Sequence, residues 1–143
     1  MPTCADIVLP ARYNAGMNRK LYEAAARLPP AELGPSLGRA RRLLRQPARH
    51  HQPFAGGDTI WPQRTRLDAM IVGLGAELKP SDLEQALAYR NSRGQALHTH
   101  FGSVLLHLFN HQTHHRGQAS TLLTQAGADI GVTDLLELIA DLA

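Results

Sequence analysis

The stretch HLFNHQTHHRGQ, residues 107–118, holds four of the chain's eight histidines within nine residues, and imidazole nitrogens are ligands for divalent ions. On an α-helix, residues four apart are offset by about 40° and lie one turn above each other. His107, His111 and His115 therefore climb one stripe of what reads as one buried helix. Gln118 and Leu122 continue near that stripe, while His114 sits about 100° from His115 and can point elsewhere. Two imidazoles at i and i+4 can place nitrogens around a single ion, the geometry of helical zinc motifs. Neutral imidazole suits zinc, nickel, copper and iron(II), so the helix alone does not choose the metal. One histidine on an apolar face is better explained by a hydrogen bond inside the core. An HxxxH pair within a cluster of four favours a metal. Such a pair supplies two ligands, and a useful site needs a third from another element.

Other reactive side chains are weaker candidates. Arg39, Arg41, Arg42, Arg45 and Arg49 lie in a run without acidic residues, which can attract phosphate backbones. No aromatic residue interleaves with them and no nucleic-acid motif accompanies them, so a solvated arginine face is the better reading and nucleic acid is not an expected partner. Arg116 is read as a surface salt-bridge partner rather than a substrate anchor. Cys4 lies in an expected frayed terminus without a paired base, which argues against a nucleophile.

The elements that must position the histidines follow from pattern and composition. At 143 residues, with 43% hydrophobic and 19% charged residues, the chain reads as one globular domain, residues 1–143. The one cysteine excludes an intrachain disulfide, and no apolar run approaches the length that crosses a bilayer. With no basic start followed by an apolar core, the N-terminus lacks a secretory signal, and the expectation is a soluble cytoplasmic protein.

Apolar residues recur at helical spacing from Ile7 to Leu28, where Pro29 and Pro30 end the helix. Residues 34 to about 64 read as irregular: Asp58 can cap a turn that Pro62 interrupts or restarts. Thr65 to Leu78 reads as an amphipathic helix with Leu67, Met70, Ile71, Leu74 and Leu78 on its apolar face. Ser81 is expected to cap a short turn, and Asn91-Ser92-Arg93-Gly94 to close a hairpin between two short strands. The strongest helix runs from about Gly102 to Ala126 and stops at Gly127, followed by a short helix capped by Thr133 or Asp134. The fold class is all-α, a four-helix bundle with a short β-hairpin before the long fourth helix.

At this point LLHLFNHQTHHRGQASTLL, residues 105–123, resembles the last long helix of the DinB-like (damage-inducible protein B) family of metal-binding proteins. The likeness extends back through LAYRNSRGQ, forward to GADIGVTDLLELI, and to ARYNAGMNRKLYEAAARLP in the first helix, but not through the middle of the chain. The resemblance implies a four-helix bundle, commonly dimeric, with a three-histidine metal site. Two of its ligands map onto His111 and His115. The third comes from the second helix, just before a segment resembling GDTIW, and some relatives are transferases or isomerases that use low-molecular-weight thiols. His107 and His114 would then be neighbours of the site and not ligands.

The chain departs from that pattern before GDTIW. Where the family pattern resembles NHLLAGDTIW, this chain reads RHHQPFAGGDTIW, so the expected ligand position holds Pro53. His51, with His50 as the alternative, is the nearest replacement, two or three residues further back. One hypothesis is a local frame slip: codons for Ile-Asn-His-Leu-Leu-Ala-Gly, read one base earlier, can spell residues 51–57. Uninterrupted codons on resequencing would remove it in favour of a divergent loop.

Two functions remain in competition. One is a divalent-metal protein (zinc, nickel or iron) with His111, His115 and His51 as ligands, extending to a metal-dependent thiol transferase acting on a small molecule. The other is a metal-free, non-catalytic helical dimerisation module with a degraded site.

Overall fold

The structure is a computed structural model that describes residues 1–28 and 60–139. Helix α1 spans Ala5–Arg27, and its inward face runs through Ile7, Ala11, Asn14, Met17, Asn18, Leu21 and Ala24 at spacings of three and four. Against one side of α1 packs α2, Ile60–Glu77; against another packs α4, the long helix Phe101–Gln125. Between them come a single-turn helix α3, Pro80–Glu84, and an antiparallel hairpin of β1, Ala86–Arg90, and β2, Ala96–His100. A 3-10 turn, Leu135–Leu138, follows α4. The all-α architecture with four helices and a hairpin before the long last one is thus observed among the described residues.

The local chemistry explains each boundary. In the hairpin loop the Asn91 side-chain oxygen accepts hydrogen bonds from the Arg93 and Gln95 amides, and Gly94 takes φ +78°. That left-handed conformation is open to glycine at no steric cost. The hairpin is tied to α3 by His100, whose Nδ1 lies 2.9 Å from the Glu84 carbonyl oxygen. Gly127, at φ +83°, ends α4 as its position after Ala126 implies.

Several expectations need correction. The helix placed at Thr65–Leu78 begins at Ile60, so residues 60–64 are not irregular and Pro62 does not interrupt. Pro62 falls in the first turn, where backbone N–H groups have no intrahelical partner and a missing one costs nothing. Ser81 is not the cap of α3; the Asp82 carboxylate accepts from the Lys79 amide at 2.8 Å, with Pro80 as first helical residue. The last segment is a 3-10 turn whose Asp134 makes no side-chain cap. Cys4 is not frayed either. It sits at the start of α1 with Sγ 3.3 Å from the Leu78 carbonyl oxygen.

The core is layered. Ile7, Ala11, Leu83, Leu105 and Phe109 form one apolar cluster, and Leu21, Ala119 and Leu123 form a second. Each fully buried Leu, Ile or Phe contributes roughly 1.5–3 kcal/mol. Between the two clusters lies a buried polar layer of Asn14, Asn18, Arg64, Asp68, Gln112 and Arg116. Each of the three long helices supplies one pair at i and i+4. The Asp68 carboxylate is the hub: it accepts from Asn14 Nδ2 (2.9 Å), Asn18 Nδ2 (3.0 and 3.1 Å) and the Arg64 guanidinium. Arg64 also donates to Gln112 Oε1 at 3.2 Å. Because the buried face of α2 passes through Arg64 and Asp68, two residues expected on an apolar face turn outward: Met70 is 61% and Leu74 40% exposed.

Candidate metal centre

The histidine cluster lies on the side of α4 turned away from the inward face of Leu105, Phe109, Gln112, Arg116, Ala119 and Leu123. His111 is exposed and His115 half-buried, so the stripe is not buried as the sequence pattern implied. Their rings meet edge to face with centroids 4.4 Å apart, and their Nε2 atoms stand 3.0 Å from each other. Two nitrogens bound at about 2.0–2.1 Å to one tetrahedral ion are separated by about 3.3 Å, so the pair needs little rearrangement to share a cation. The other nitrogen of His115, Nδ1, lies 3.1 Å from Gln118 Oε1. An amide oxygen there fixes Nδ1 as the protonated atom and leaves the Nε2 lone pair free for a ligand role.

The two remaining histidines flank the pair. The His107 ring stacks on His111 with centroids 5.7 Å apart, and the His114 ring stands edge-on to His115 at 5.3 Å. His111 is held below its ordinary value of 6.5, first by partial desolvation of its ring among its neighbours and then by the nearby His115, His107 and His114. A neutral imidazole at pH 7 is the form that binds a metal. Two neutral imidazoles are the donor type that a borderline divalent ion such as zinc, nickel or iron(II) takes, and His111 and His115 are the residues that would hold it here.

No third histidine, cysteine or carboxylate joins the pair among the described residues. His50 and His51 fall outside them, as do Pro53 and the arginine run. Arg116 is not at the surface, and it forms no salt bridge among the described residues. It is 7% exposed, donates to Asn14 Oδ1 and to Thr113 Oγ1 (2.8 Å), and lies over the Tyr13 ring at 5.2 Å. Burial pushes its guanidinium down to about 10, which leaves it charged at neutral pH. This buried layer beside the histidines went unread in the sequence. Its signal was three polar pairs, Asn14/Asn18, Arg64/Asp68 and Gln112/Arg116, at positions where helical periodicity expects apolar residues.

A model of the DinB family matches residues 58–141, more than half of the 143-residue chain. The chain belongs to the DinB family. No curated protein and no solved structure matches it. Within this DinB-family chain the matched segment contains α2, the hairpin, α4 and therefore the HxxxH pair. No helix among the described residues is long and apolar enough to cross a membrane.

Proposed function

We propose that this DinB-family chain binds one divalent metal through His111 and His115, with His51 as third ligand and His50 as the alternative. The observation that carries the reading is the 3.0 Å approach of the two Nε2 atoms on consecutive turns. In the absence of an ion, one Nε2–H must donate to the other ring's lone pair, an arrangement that exchanges readily for a shared cation. Gln118 orients the His115 ring for either state, and the low proton affinity of His111 keeps its ring neutral, so that the proton on its Nε2 can move to Nδ1 as an ion binds.

The reaction class we infer is thiol transfer to a small electrophile, with a low-molecular-weight thiol as co-substrate. A bound divalent ion would supply Lewis acidity, holding the thiol sulfur as thiolate at neutral pH. The chain's own part is to position: α4 fixes the two imidazoles one turn apart, and the polar layer behind them fixes α4 against α1 and α2. Metal analysis by mass spectrometry on full-length protein purified without a histidine tag tests the proposal. One equivalent of zinc, nickel or iron, lost in His111→Ala/His115→Ala, is the expected result. No stoichiometric ion, even after incubation with each metal, favours the metal-free dimerisation module instead.

A further inference from the structure

The buried polar layer carries an unbalanced charge. Arg64 is paired with Asp68, but Arg116 forms no ion pair with a carboxylate among the described residues: it donates to Asn14 and Thr113 and lies over the Tyr13 ring, and the Asp68 carboxylate acts on it only through space. A cation left in a low-dielectric site costs free energy unless an anion reaches it. A cleft of about 260 Å³ opens onto Arg116, between α1 and α4, away from the metal-facing stripe. Met17 and Leu21 give it an apolar wall, and Thr113 and Ser120 contribute hydroxyls. At its mouth the segment after α4 is anchored by Tyr13, whose hydroxyl donates to the Thr133 carbonyl at 2.6 Å. The next residue, Asp134, also lines the cleft and is exposed, and it makes no ion pair with Arg116.

The cleft thus holds a deep positive charge and an outer negative one that do not neutralise each other. We infer that it binds a small zwitterion of the amino-acid type, its carboxylate on Arg116, its ammonium toward Asp134 and an apolar side chain against Met17 and Leu21. A simple anion gains the first contact but meets the Asp134 charge uncompensated. The inference is independent of the metal reading, since none of these residues is in the HxxxH pair.

Gly117 supplies a test that leaves Arg116 and its buried bonds in place. It lines the cleft, and a Cβ added there meets no atom within 4 Å, so Gly117→Leu fills the space without strain at the backbone. Full-length, metal-free protein is titrated with L-leucine and, separately, with sodium acetate at matched ionic strength, following amide NMR signals. The expected result is a saturable shift with L-leucine centred on Gly117, Ser120 and Thr133. Acetate should bind at least tenfold more weakly, and Gly117→Leu should weaken L-leucine at least tenfold while its remaining spectrum stays native. No saturable shift, or equal L-leucine binding by Gly117→Leu, overturns the site. Acetate binding as tightly as L-leucine overturns its assignment to zwitterions.

Discussion

Arg64 and Asp68, one turn apart on α2, form an ion pair that is almost wholly buried. The pair does more than join its own helix. Asp68 gathers Asn14 and Asn18 from α1, and Arg64 reaches Gln112 on α4, so one carboxylate and one guanidinium link all three long helices. Removing one partner of a buried pair leaves the other charge unpaired and costs about 3–5 kcal/mol. Asp68→Ala should therefore lower the unfolding free energy by about that amount in urea titrations. A loss below 1 kcal/mol would show that the layer is more hydrated than its burial implies.

The link between α1 and the C-terminal segment is narrower. Tyr13→Phe deletes the bond to the Thr133 carbonyl and should cost about 0.5–1.5 kcal/mol. Hydrogen exchange should speed up in residues 132–139 and stay unchanged in the hairpin.

Glycines on the helices divide into two kinds. A Cβ at Gly73 meets nothing within 4 Å, so Gly73→Ala should stabilise by about 0.5–1 kcal/mol through reduced chain entropy. At Gly102 a Cβ would lie 2.7 Å from Pro2 Cγ and 3.2 Å from Leu83 Cβ, and Leu83 is buried. Gly102→Ala should destabilise by about 1–3 kcal/mol, read from thermal melting of the two variants.

Protons should compete with folding at His111. Its folded-state value lies below the ordinary 6.5, so the unfolded chain takes up the proton first. The stability this ring contributes is present above pH 6.5 and is lost as pH falls through the lower folded value. Urea midpoints measured from pH 8 to pH 5 without metal should fall more steeply for the native chain than for His111→Ala. Equal slopes would remove the ring from the account.

The third ligand proposed here can be tested by substitution. Losing even an outer partner of a metal site typically costs 10–100-fold in affinity, so His51→Ala should weaken zinc by at least about tenfold. His50→Ala should leave zinc affinity unchanged; the reverse pattern would move the role to His50.

Much of the frame was legible because it is written locally. Asn91 and Gly94 specify a hairpin loop by side-chain acceptor and positive φ, and Gly127 marks the end of α4. The i, i+4 relation of His111 and His115 follows from helical pitch alone. What escaped the sequence depends on neighbours. Whether Pro62 breaks a helix depends on its distance from the first turn, and the exposure of Met70 and Leu74 depends on Asp68 finding two asparagines on another helix. Arg116 read as a surface cation because its asparagine partner lies 102 residues away. His51 and His50, the residues proposed for the third ligand, fall outside the described residues.

The most direct test observes the two nitrogens themselves. In long-range proton–nitrogen spectra of the imidazoles, titrating zinc into full-length, tag-free protein should shift the Nε2 resonances of His111 and His115 together. The shift should saturate at one equivalent and leave His107 and His114 largely unmoved. Response at only one of the pair, or at neither, would contradict a shared cation.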